Sequence, residues 1–289
     1  MRPSEIIGRF AALALVAGAA TGYAADAAAG TPERVVSMNL CTDQLAMMLA
    51  AEGQLYSISD IAQDPLMSPM VEEARAYRVN HGLAEEIYLM QPDLVLAGQY
   101  TNLATVEMLR RLGIPVAIFD TTRGLDQVAA RIAKMGSVLG REDAAQTMID
   151  EFESRLTELR AGDGPRPEAV LYYANGYTLG GQTLAGDILE AAGFENAALR
   201  AGYASGARMP LEVLAALDPD IVITAQKYPG ASRSEAILQH PVVKELRGAN
   251  GTAAMTDSDW VCGTPFVLRA IEELAQARNA LGPLKGTDE

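Results

Sequence analysis

Short aliphatic runs, each bounded by glycine, proline or aspartate, recur along this chain. Between them apolar residues return every three or four positions. Arg34–Met38, Tyr56–Ser59, Asp93–Ala97 and Ile114–Asp120 read as strands, followed later by Ala169–Tyr173 and by the aliphatic run after Asp220. Unbroken apolar runs of this length suit strands of a parallel sheet covered on both faces. Helices are predicted at Thr42–Ala51, closed by Gly53, and over TNLATVEMLRRLG at 101–113. Another is predicted over TLAGDILEAAG at 183–193, capped by Thr183 and stopped by Gly193. Alternation of this kind predicts an α/β chain.

The order is stated twice. EEIYLMQPDLVLAG at 85–98 and EVLAALDPDIVITA at 212–225 align at an offset of 127, pairing Glu85 with Glu212, Pro92 with Pro219 and Asp93 with Asp220. At an offset of 140, DQLAMMLAAEG pairs with the helix at 183–193 through Leu49 and Leu189, Ala51 and Ala191, and Gly53 and Gly193. Two homologous lobes account for both alignments. Between them Ala145, Met148, Ile149, Phe152, Leu156 and Leu159 recur at helical spacing, and neither Pro nor Gly interrupts Arg141–Ala161. That predicts one helix of about 30 Å, at ~1.5 Å per residue, stiff enough to hold the lobes apart. The expected organisation is an N-terminal lobe at 33–140, a linking helix at 141–162 and a C-terminal lobe at 165–284.

The first 24 residues carry Arg2 and Arg9, an apolar run from Phe10 to Ala20, and small residues at Gly22 and Ala24. This reads as a cleavable secretory signal peptide and predicts export. The apolar run falls short of the ~20 residues a membrane span wants, so the product is not expected to be membrane-embedded. Removing residues 1–24 takes the formal charge from −14 to −15. Such acidity argues against nucleic acid and anionic membrane surfaces as partners.

An exported chain of two Rossmann-like lobes with parallel sheets, joined by a single long backbone helix, resembles the periplasmic substrate-binding proteins of ABC importers. It is similar to the vitamin B12 and iron–siderophore (Fe/B12) family, which has the class III binding-protein fold. The residues that carry the resemblance are RVVSMN with TDQLAMMLA, the E-x-I-x-x-x-x-PDLVLAG segment from Glu85, and TDSDW with the final PFVLRAIEELAQARNAL. The resemblance implies a periplasmic monomer that does no chemistry, needs no cofactor, and carries a metal chelate to a permease dimer. It also implies that Glu85 and Glu212 dock on arginines of the two membrane subunits. A two-fold pore presents one basic pocket twice, so a carrier offering two acidic contacts fits it. The alternative is that both are first-turn glutamates favoured by the helix dipole.

Ligands of parallel α/β sheets bind beyond the carboxyl ends of strands. That rule selects Asn39, Cys41, Tyr100, Tyr177, Asp259, Trp260 and Cys262 as candidate contacts; Arg208, just before the helix that carries Glu212, is a further candidate, its alternative being a solvated arginine. Tyr100, Tyr177 and Trp260 offer flat apolar faces with a polar tip, and Arg208 offers a cation for an anionic chelate. The resemblance implies a cleft aspartate at Asp259. Cys41 and Cys262 are the only cysteines. Export and an even count point to a disulfide, which would clamp the lobes; contact with ligand and unpaired thiols stay open. The same pair leaves open a binder of a free soft metal. A chelatase-like, tetrapyrrole-handling enzyme is the other rival. Against catalysis stand only two histidines, His81 and His240, neither near a predicted cleft loop, and the absence of a P-loop lysine after LGGQT.

Overall fold

Parallel pairing organises both halves of the computed structural model, which describes residues 30–162, 164–226, 230, 232–250 and 252–281. The signal peptide expected at 1–24 lies outside the described residues. The first half builds β1 (Val35–Ser37), α1 (Leu40–Leu49), β2 (Leu55–Ser59), α2 (Val71–Ala74), β3 (Arg78–Asn80), α3 (Ala84–Leu89), β4 (Leu94–Gly98), α4 (Leu103–Arg111) and β5 (Val116–Phe119). Its sheet is five-stranded, in the order β3-β2-β1-β4-β5, with every pairing parallel.

After α5 (Asp126–Leu139) and α6 (Glu142–Leu159) the second half builds β6 (Glu168–Leu171), β7 (Tyr177–Thr178), α7 (Leu184–Ala191), β8 (Glu195–Asn196), β9 (Ala207–Arg208), α8 (Leu211–Leu217), β10 (Ile221–Ala225), α9 (Pro241–Asn250), β11 (Thr252–Met255), α10 (Asp257–Trp260) and α11 (Val267–Asn279). Strands β11-β10-β6-β8 form a parallel four-stranded sheet, and β7 and β9 an antiparallel ribbon beside it. The architecture is α/β with parallel sheets, as the sequence leads one to expect.

The repeat at offset 127 is structural. Helices α3 and α8 begin at equivalent positions, as do strands β4 and β10. Its Pro-Asp signature has a physical role in both copies. The Asp93 carboxylate accepts from the backbone N–H of Glu33 and Arg34, at the start of β1. Asp220 accepts from the N–H of Glu168 at 2.8 Å, at the start of β6. Each aspartate ties a sheet's leading strand to the strand that follows it in space.

The helix expected at 141–162 is α6, somewhat shorter, and it is not alone. It packs along α5, for which the sequence reading assigns no element, and on its other side against α11. At Gly136 a Cβ would lie 2.4 Å from Ala145 Cβ, so α5 and α6 approach closer there than any larger residue allows. One apolar core runs through this layer, from Leu45 and Leu49 through Phe152 and Leu156 to Ile188 and Ile271. Separate clusters cover the outer faces, with Ile87 and Leu109 under the first sheet's outer helices, and Tyr172 and Leu214 under the second's. Among the described residues no helix is long and apolar enough to cross a membrane.

Candidate functional site

In the second sheet β6 leads the chain toward β8 on one side and β10 on the other, so the strand order reverses between β6 and β10. Crevices form at such switch points, beyond the carboxyl ends of the strands. A cavity of about 1040 Å³ lies at this one, lined by Tyr173 and Ala174 after β6, Thr224, Ala225 and Gln226 at the end of β10, and Ala254 of β11. Tyr177 and Leu179 close one side, Glu235, Leu238 and Arg247 another, and Asp257, Trp260 and Val261 a third. Among the described residues of the first half, Met67 alone lines it.

The turn after β6 sets two of these aromatics. Asn175 adopts a left-handed conformation (φ 58°), which its short polar side chain tolerates better than most. The chain thereby folds back so that Tyr173 N–H donates to Tyr177 C=O at 2.7 Å. Trp260 completes the wall, stacked on Tyr173 with ring centroids 6.3 Å apart and planes 28° from parallel. Its indole Nε1–H donates to Asp257 Oδ1 at 3.3 Å. The Tyr173 hydroxyl is buried without a hydrogen-bond partner, as is Arg247 Nε. Burial, with the Asp257 charge behind it, drives the Tyr173 pKa upward, so the phenol stays protonated.

Of the eight expected ligand contacts, Tyr177 and Trp260 line the cavity. The other six do not, and most have visible reasons. Asn39 is the N-cap of α1, its Oδ1 accepting from Cys41 N–H at 3.1 Å. Cys41 and Cys262 are joined in a disulfide with Cα atoms 4.9 Å apart. Neither sulfur is then a free thiolate for ligand or soft metal, and among the described residues no group of three or more His, Cys, Asp or Glu could hold a metal ion. Asp259 is buried facing Arg269 at 3.9 Å, and burial raises its pKa. Tyr100 is 79% exposed beyond β4, and Arg208 lies exposed on β9. The strand-end rule selects loops of both halves, and the residues described as lining this cavity come almost wholly from the second.

Sequence reasoning passed over Tyr173, Met67, Glu235, Arg247 and Asp257. Tyr173 was within reach, because it ends a predicted strand at the edge where ligands bind. Arg247 and Glu235 lie in a segment to which no element was assigned. Glu85 and Glu212 stand far from this chemistry in kind. Both are exposed at the second position of their helices, and neither has a hydrogen-bond or ion-pair partner among the described residues.

A pair of parallel α/β sheets with a large crevice at a strand switch point defines a ligand-binding protein of the two-sheet type. The family model described as periplasmic binding protein matches residues 35–251, and the chain belongs to that family. It is 27% identical over 258 residues to proteins described as cobalamin-binding from two strains of Halobacterium salinarum, covering 86% of this chain and 69% of theirs. Among solved structures it resembles the periplasmic heme-binding protein RhuT from Roseiflexus sp. RS-1 in apo form, with TM-score 0.70 and 21% identity over 85% of this chain and 97% of that one. It also resembles the periplasmic vitamin B12 binding protein BtuF of Vibrio cholerae, with TM-score 0.64 and 19% identity over 86% and 97%.

Proposed function

We propose that this protein is the periplasmic substrate-binding component of an ABC importer, exported by cleavage of residues 1–24. It captures a metal chelate, an iron–siderophore or a cobalamin-like corrinoid, and hands it unchanged to a permease dimer. The observation that carries this reading is the cavity of about 1040 Å³ with the stacked Tyr173 and Trp260 as one wall. Small-molecule sites are typically ~300–1,000 Å³, so this one suits a bulky ligand with an apolar face. Relatives named for cobalamin, and structures named for heme and vitamin B12, support a large chelate as cargo. Docking is assigned to Glu85 and Glu212, two exposed acids at equivalent places in the repeat.

Titration of the purified protein with cyanocobalamin, hemin and a ferric siderophore, followed by calorimetry, tests the cargo. One of them binds one-to-one with micromolar or tighter affinity. Failure of all three overturns the reading. Turnover of porphyrin with a divalent metal would instead indicate an enzyme.

A further inference from the structure

We propose that the Cys41–Cys262 disulfide positions the aromatic wall of the cavity, making the site sensitive to dithiol reductants: oxidised, it holds ligand tightly; reduced, it holds it more weakly. The proposal rests on the cavity being the ligand site argued above.

Cys262 ends the segment that supplies Asp257, Trp260 and Val261 to the cavity, so the indole stands two residues from a covalent tether. The partner sulfur belongs to the other half, 221 residues away in sequence. No local chain constraint keeps the two cysteines together once the bond is cut. The other ties of the segment are noncovalent, among them the Tyr173–Trp260 stack and the Gln226 amide donating to Thr256 Oγ1 at 2.7 Å. The indole donates to Asp257, a residue of its own turn, which fixes the ring but not the turn. Asp259 meets Arg269 only at 3.9 Å. Across the halves Thr264 Oγ1–H donates to Gln44 Oε1 at 3.1 Å, while the Gln44 amide nitrogen is buried without a partner. Beside Cys262, Gly263 lies so near Thr122 that a Cβ there would come within 2.5 Å of it, a packing contact between the halves next to the disulfide.

Reduction needs a dithiol, and the chemistry balances. A reductant thiolate attacks Cys41 Sγ, the less buried of the two residues, since Cys262 is 3% exposed. The Sγ–Sγ bond breaks, and Cys262 leaves as a thiolate that takes a proton. The reductant's second thiol then attacks its own sulfur in the mixed disulfide and expels Cys41. The reductant departs as a cyclic disulfide, having delivered two electrons and two protons. Cys41 leaves from the first turn of α1, where the helix N-terminus favours a thiolate.

The chain has one tryptophan, so its fluorescence reports this wall alone. The chain lacking residues 1–24 is compared oxidised, reduced with dithiothreitol until two thiols titrate, and reoxidised, alongside a C41S/C262S variant. Each sample receives acrylamide quenching and cyanocobalamin titration. On reduction Trp260 becomes more accessible and its emission shifts to the red. Cyanocobalamin affinity falls about ten-fold, a magnitude ordinary for coupled sites. Reoxidation restores both, and the double variant behaves as the reduced protein and ignores dithiothreitol. Unchanged Trp260 accessibility with both thiols free overturns the proposal, as does affinity unchanged by reduction. If the double variant does not fold, the reduced wild type, its helicity checked by circular dichroism, decides. If cyanocobalamin binds in neither state, hemin and the ferric siderophore take its place in the titration; failure of all three sinks the cargo reading, and Trp260 accessibility still decides the positioning role.

Discussion

Glu85 and Glu212 each stand second in a helix and nine residues ahead of a sheet strand, one in each half, both exposed. Asp93 and Asp220, eight residues further on in each copy of the repeat, make backbone hydrogen bonds at the start of a strand. The glutamates make no such bonds among the described residues. The same duplication thus kept one acid for architecture and left the other facing outward.

Replacing both glutamates, E85A/E212A, should abolish uptake in cells while leaving the affinity of the purified protein for its cargo unchanged. Exposed first-turn glutamates contribute only ~0.3–1 kcal/mol through the helix dipole, so the fold survives. Normal import by the double variant refutes the docking assignment.

Asp93→Ala and Asp220→Ala should each lower stability by about 1 kcal/mol, the worth of a partly exposed hydrogen bond to a strand end. Denaturant titration measures it. Asp93→Ala is expected to cost the more, because its carboxylate accepts from two backbone N–H groups and that of Asp220 from one, and a silent Asp220→Ala would show that the second contact is ornamental.

The fully buried Asp43 has its carboxyl pKa raised from 3.8 to about 7, chiefly by desolvation, with Asp60 adding repulsion and hydrogen bonds to Ser37 and Ser59 opposing. Below about pH 4 the group is protonated whether the chain is folded or not. As pH rises further, the unfolded chain releases its proton first, so stability falls until about pH 7 and then levels. A rise from 3.8 to about 7 bounds the loss at ~4 kcal/mol. Burial moves Asp187, Asp259 and Glu273 the same way. The melting temperature should therefore be higher at pH 5 than at pH 8, and D43N should flatten that slope. A D43N profile parallel to wild type would reject Asp43 as its source.

Tyr173→Phe should raise the stability of the ligand-free protein by about 1 kcal/mol, because it removes a buried hydroxyl that lacks a partner. Trp260→Ala should do the opposite to binding. Losing the stacked face weakens cargo affinity at least about ten-fold. Thermal melts and calorimetry separate the two effects.

The α/β class, the duplication and most strands were legible because each strand is an aliphatic run between turn residues, as at Leu94–Gly98 and Ile221–Ala225. Helix α5 was less legible: Val128, Ile132, Met135 and Leu139 carry an apolar stripe, but Gly136 interrupts it as a helix breaker would. The site was harder. A strand-end rule points to loops, but it cannot say which side chains turn inward. Asn39 serves its own helix and Asp259 turns to Arg269, whereas Tyr173 and Arg247 from distant segments converge. The cysteine pairing lay between these cases, since an even count says that partners exist but not where they meet.

Phe152 and Leu156 of α6 belong to an interior shared with Leu49 on one side and Ile271 on the other. Neither copy of the ancestral unit therefore owns a complete interior, and a fragment cut at either end of that helix would expose a broad greasy flank. The halves are therefore expected to melt as a single body, in one transition with no half-folded plateau.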